Sequence, residues 1–116
     1  MMIEAIYPDW KVPSHIKAIQ TVKKTGDISG FIKKNDSNFT FLNQTHGVNI
    51  VELPNNSTLE ADASFTYAKQ TICAVRTADC LPILMTDISG SFVAAIHAGW
   101  RSLSNGIIEE ILKKLK

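Results

Sequence analysis

A chain of 116 residues makes at most one domain, and one long enough to bury a core of its own. Its 45% hydrophobic and 20% charged residues are the proportions of a soluble globular protein. A formal net charge of +1 creates no field that would gather nucleic acid or a membrane surface. No stretch is apolar for long enough to span a bilayer, and MMIEAIYPDWKVP lacks the charged-then-apolar pattern of a secretory leader. The expectation is a cytoplasmic single domain over 1–116, with neither nucleic-acid nor membrane partners. In a reducing compartment Cys73 and Cys80 stay unpaired, and Cys73 reads as a small buried hydrophobe.

Taken in order, residues 1–14 form an irregular lead-in, because Pro8 and Pro13 interrupt regular structure. HIKAIQTVK (15–23) alternates apolar and polar side chains and predicts a strand with one wet face. TGDISGF is turn-rich, and KKNDSN is polar and exposed. FTFLNQ (39–44) predicts a strand that ends in the turn THG (45–47), and VNIVEL (48–53) a β-branched strand. PNNSTLEA is a loop, DASFTY (62–67) a short strand, and TICAVRT (71–77) a buried strand. PILMTD, ISGS and FVAAIH then read as strand, turn and return strand, a β-hairpin. AGWR leads into a helix over LSNGIIEEILKKLK, where Ile107, Ile108, Ile111, Leu112 and Leu115 make an apolar stripe. Glu109–Lys113 and Glu110–Lys114 are spaced to pair along that helix.

The fold class expected is α+β (mixed α/β): a largely antiparallel or mixed sheet of several short strands with a C-terminal helix. One helix covers only part of one sheet face. Either the sheet curls on itself or something outside these residues covers the rest.

Three side chains with chemistry stand at strand-to-turn junctions: His46, Cys80 and His97. The antiparallel return of the hairpin brings Cys80 and His97 together across 17 positions of sequence. Two imidazoles and a thiolate suit zinc, and three protein ligands leave the open position of a catalytic site. Spacings of 34 and 17 residues match no zinc finger or ribbon. The same residues equally suit a metal-free pair, with Cys80 as nucleophile and a histidine as base. Asp62 and Asp79 could each orient a histidine, accept a substrate hydroxyl or cap a turn. Arg101, at the start of a helix, is a candidate for an anion such as phosphate. Trp100 reads as core or pocket wall, Gly47 and Gly99 as turn-forming residues beside the ligands, and His15 as non-functional.

QTHGV, ADASFT, TADCLPILMTD and AAIHAGWRSLSNGI, in that order, resemble the polyphenol-oxidoreductase (laccase-domain) family, understood as zinc-containing purine nucleoside phosphorylases. The resemblance runs from about Phe41 to Ile108. It implies that His46, Cys80 and His97 ligate Zn²⁺. It also implies phosphorolysis of adenosine, inosine and methylthioadenosine, and hydrolytic deamination of adenosine. Purine nucleoside and phosphate are then the partners, a homo-oligomer stays open, and the fold is related to Cys–His hydrolases. An older laccase description of the family implies copper and phenol oxidation instead.

The chain departs from the family pattern at several points. Members are about twice as long, KKTGDISGF carries lysine where an arginine is expected, and Ser102 replaces the usual glycine after GWR. An N-terminal part of the family fold is therefore expected, either active or a remnant without turnover.

Overall fold

Small and β-branched side chains set where strands form in this chain, and most of the strands are short. The computed structural model describes residues 5–26, 38–39, 41–54 and 58–115. The elements in chain order begin with β1 (Ala5–Ile6), β2 (Gln20–Thr21) and a 3₁₀ turn at Lys23–Thr25. Then come β3 (Asn38–Phe39), β4 (Ile50–Glu52), β5 (Ala63–Thr66) and β6 (Thr71–Ile72). The chain closes with β7 (Leu81–Thr86), β8 (Val93–Ala98) and two helices, α1 (Trp100–Ser104) and α2 (Ile107–Lys114). None of the described helices is long and apolar enough to cross a membrane.

The central sheet has four strands in the order β4-β5-β8-β7. β4 and β5 are parallel, and the other two pairings are antiparallel. In the hairpin Thr86 faces Val93, Pro82 faces His97 and Leu81 faces Ala98. The predicted hairpin is thus present, with both strands set one residue further from the turn, at Leu81–Thr86 and Val93–Ala98. Its turn is pinned by Asp87, whose Oδ1 accepts the Ser91 N–H at 2.7 Å, and by Gly90 at φ 68°. His15 lies over this turn with its Nε2 3.0 Å from the Gly90 carbonyl, well away from the other histidines in sequence.

The period of two along β5 and β8 sorts their side chains between two layers. Ala63, Phe65, Ala94, Ile96 and Ala98 form one buried cluster with Ile107 and Ile111 of α2. The opposite face carries Ser64, Thr66, Ala95 and His97. There a second cluster of Leu42, Val51, Leu53 and Ala61 forms, with Leu59, Cys73 and Val75 packed against it. The helix shortage is therefore met in part from within the chain, since irregular segments around 42 and 73–75 cover the second face.

Several expected elements are reduced, for identifiable reasons. The strand expected over 15–23 forms only at β2, paired with β1 in the lead-in read as irregular. Alternation supplies a strand-like surface, but the partner strand ends before Pro8, so the ladder stops. The strand over 39–44 is limited to β3, which runs parallel to β6, and an isolated bridge from Asn43 to Glu60. The strand over 71–77 survives only as β6 and is half-buried.

The single C-terminal helix is two helices. Gly106, at φ 92°, closes α1 and opens α2, a conformation that strains any residue with a Cβ. On α2, Ile107 and Ile111 are buried while Leu112 is exposed. Lys113 pairs with Glu110 at 3.5 Å instead of forming the expected four-residue pairs. Ser102 on α1 is fully buried, and its hydroxyl has no hydrogen-bond partner among the described residues. The readings of TGDISGF from Asp27 onward, of KKNDSN except Asn38, and of residues 55–57 in the next loop lie outside the described residues.

Candidate metal centre

His97 belongs to the central strand β8 and is 4% exposed, so its ring stands on a rigid floor. Its cross-strand partner is Pro82. Cys80 is two residues before Pro82, on the same side of the pleat, and so lies diagonally across from His97. The ladder ends beside it, and Cys80 comes to rest against Gly99. A Cβ added at residue 99 would stand 3.1 Å from Cys80 Sγ, 3.6 Å from His46 Nδ1 and 3.8 Å from His97 Cε1. Gly99 has φ −67°, which any residue adopts, so glycine is needed here for space and not for a turn.

His46 arrives from the loop after Asn43. It is the residue with positive φ in THG, at 60°, a conformation uncommon without glycine. Gly47 does not take that role. Asp62 compensates for the strained backbone. Its Oδ1 accepts the N–H of Thr45 at 2.9 Å, the N–H of Gly47 at 3.1 Å and the Thr45 hydroxyl at 3.4 Å. Its Oδ2 accepts the N–H of His46 at 3.0 Å and the Nδ1–H of His97 at 2.7 Å. One carboxylate therefore fixes the backbone that presents His46 and the ring orientation of His97.

Burial by itself would push the Asp62 carboxyl up, but the bonds from His97 and from the backbone of Thr45, Gly47 and His46 hold it below the ordinary carboxylate range. As an ionised acceptor it requires the proton on His97 Nδ1. The lone pair of Nε2 is then free for a metal or a proton.

The ligand atoms of His46, Cys80 and His97 all lie within 4.8 Å of one another. The histidine rings are 5.0 Å apart between centroids and nearly perpendicular. Metal–nitrogen and metal–sulfur bonds of about 2.0–2.3 Å bridge donors up to about 4.4 Å apart, so one ion would draw the widest pair slightly inward. The donor set, the carboxylate behind His97 and the Cβ-free space at Gly99 all fit a single metal ion. His97 is buried, Cys80 half-buried and His46 exposed, so the site is open on the His46 side.

The other candidates lie around this group without joining it. Asp62 is fully buried and its oxygens are taken up by the protein, which places it beneath His46 and His97. Asp79 is exposed beside Cys80 and makes no hydrogen bond or ion pair among the described residues. Arg101 is exposed on α1 with its guanidinium carbon 5.2 Å from the Trp100 ring centre. Trp100 is 74% exposed, which rules out the first half of its reading as core or pocket wall.

The sequence profile of the multi-copper polyphenol oxidoreductase laccase family matches residues 20–116. The chain belongs to this family. Among similar proteins of the curated collection, a purine nucleoside phosphorylase of Haemophilus influenzae is 37% identical over 96% of this chain and 57% of its own length. A purine nucleoside phosphorylase of Pseudomonas aeruginosa is 34% identical over 93% of this chain and 54% of its own. A crystal structure of a Neisseria meningitidis protein superposes with a TM-score of 0.78 at 28% identity, covering 97% of this chain and 57% of that one. This laccase-family chain thus spans a little more than half the length of the relatives it matches, in the mixed α/β fold they share.

Cys73 lies on the far side of β8 from α2, with its thiol 3.7 Å from the Val93 carbonyl. Burial pushes that thiol up from 9.0 to about 11. Below about pH 9 it is protonated whether folded or unfolded. Between 9 and 11 only the unfolded chain ionises, so stability is lost as pH rises through that window, by about 2–3 kcal/mol in total. Urea melts at successive pH values should show this loss, and Cys73→Ala should remove its thiol-dependent part.

The residue that sequence reasoning passed over is Gln44. It stands two places before His46, and the QTHGV pattern contained it, but its contacts lie 32 residues away at Arg76.

Proposed function

We propose that this chain forms the metal-holding part of a zinc-dependent enzyme that cleaves purine nucleosides with phosphate and deaminates adenosine. The observation that carries the reading is the convergence of His46, Cys80 and His97 within 4.8 Å, with Asp62 setting the His97 tautomer. The name borne by the relatives from H. influenzae and P. aeruginosa supports the choice of substrate.

In this reading His97 Nε2, one imidazole nitrogen of His46 and the Cys80 thiolate hold Zn²⁺. When bound, the ion supplies Lewis acidity at the open position left by three protein ligands. Asp62 keeps the proton on His97 Nδ1, so that Nε2 stays a donor throughout. Arg101, exposed on α1 and without a carboxylate partner among the described residues, offers its guanidinium to the phosphate. Asp79, at the rim beside Cys80, offers an acceptor to a ribose hydroxyl. The cytoplasm, which keeps Cys80 as a free thiol, is the compartment this chemistry needs.

Two observations favour other readings. The family description and the His₂Cys donor set both suit copper, since trigonal sites of this kind hold it in electron-transfer proteins. A multi-copper oxidase needs several metal centres, however, and the described residues bring together one such group, with His15 lying against the hairpin turn. Alternatively, Cys80, His97 and Asp62 form a nucleophile–base–orienter series for a metal-free hydrolase. That reading leaves the strained, Asp62-anchored position of His46 without a use.

The experiment is an assay with adenosine or inosine plus phosphate, run beside a phenol-oxidation assay under oxygen, each with and without chelator. Chelator-sensitive release of free base supports the proposal. Turnover that survives chelator but not iodoacetamide supports the hydrolase, and oxygen uptake with phenols supports copper.

A further inference from the structure

We infer that Gln44 is a positioning residue of the metal centre, fastening the segment that carries His46 to the segment that carries Cys80. The inference rests on the reading of His46, Cys80 and His97 as metal ligands. The Gln44 side-chain amide donates to the Arg76 carbonyl at 2.8 Å, and its Oε1 accepts the Arg76 N–H at 2.8 Å. A side chain thus makes the pair of hydrogen bonds that a neighbouring strand would make. It does so where the ladder between β3 and β6 has already ended at Phe39 and Ile72.

The position explains why this matters. Residues 73–80 have no regular structure. Among the described residues, no other hydrogen bond holds the backbone of 74–79. Cys80 is four residues beyond Arg76, and His46 two beyond Gln44. His97 is fixed by β8, and His46 by Asp62. Cys80 stands at the very end of the hairpin ladder, and the chain leading into it is tied down by Gln44.

The Arg76 side chain reinforces the clasp. Its guanidinium carbon lies 3.8 Å from the Phe41 ring centre, and Phe41 packs edge-on against Phe39 at 4.7 Å. Arg76 is therefore gripped through its backbone by Gln44 and through its side chain by Phe41, both on the His46 segment.

The test uses the full chain and three forms: native, Gln44→Ala and Gln44→Glu. Zinc affinity is read by competition with a chromophoric chelator, ligand geometry by the cobalt(II) spectrum, and stability by urea melts of the metal-free chain. Gln44→Ala should weaken zinc binding about tenfold or more, the range found for groups that orient metal ligands, and should alter the thiolate-to-cobalt band. Gln44→Glu keeps the acceptor for the Arg76 N–H but sets a carboxylate against the Arg76 carbonyl, and should fall between the two. If both variants bind zinc within twofold of the native chain with an unchanged cobalt spectrum, the inference is overturned while the metal reading stands. A native chain that binds no zinc overturns both.

Discussion

Asp62→Ala is expected to destabilise the chain by about 3–5 kcal/mol and to abolish metal binding in the same step. The magnitude follows from removing one partner of a buried, charge-assisted network and leaving the others unsatisfied. The N–H groups of Thr45, His46 and Gly47, and the Nδ1–H of His97, lose their common acceptor. The positive φ of His46 then has nothing to compensate it. Asp62→Asn, which keeps the shape, should be milder in stability. It should still lower metal affinity about 10–100-fold, because its amide cannot accept from His97 Nδ1 on the NH₂ side and the histidine loses its fixed tautomer. Urea melts with and without added zinc check both. An Asp62→Asn chain that binds zinc as the native chain does would show that the carboxylate serves the fold alone.

Cys80→Ala is the complementary case, with a large effect on the metal and a small one on the fold. Cys80 is half-buried, lies beyond the last ladder pair of the hairpin and belongs to neither buried cluster. The metal-free variant should therefore melt within about 1 kcal/mol of the native chain. A zinc site of four ligands is worth about 10–16 kcal/mol in folded peptides, or about 3 kcal/mol for each ligand. Losing the thiolate should weaken binding by at least about a hundredfold. It is the native chain that separates the readings of function: iodoacetamide should stop a Cys80 nucleophile at once, whereas chelation should stop a metal enzyme.

What could be read from the sequence was whatever depends on near neighbours. The hairpin was legible because two short apolar runs, in PILMTD and FVAAIH, bracket a glycine turn, and a hairpin needs no distant partner. It brought Cys80 and His97 together correctly, although the register sets them diagonally and not directly opposite. The four family segments were legible for the same reason, being short local patterns. Misread elements depended on distant chain. Alternation at 15–23 and 71–77 suggested strands, but strand length is set by the partner, and the partners are two residues long.

The double role of Asp62 was only half visible. Orienting a histidine was one of its options in the sequence. That its carboxylate also organises Thr45–His46–Gly47 follows from the parallel pairing of β4 and β5, which no local pattern announces. The helix break, by contrast, was signalled by Asn105–Gly106 and obscured by the regular isoleucine stripe around it. Gln44 was visible only as the first letter of QTHGV, since a glutamine at a strand end otherwise looks like any polar surface residue.

The central claim is that His46, Cys80 and His97 hold one metal ion. It is tested most directly by titrating the metal-free chain with cobalt(II) and following the thiolate-to-metal band. The expected result is saturation at one ion per chain, displacement by zinc, and loss of the band in Cys80→Ala, with weakened binding in His46→Ala and His97→Ala. A native chain that develops no such band, or a band that persists in Cys80→Ala, would contradict it.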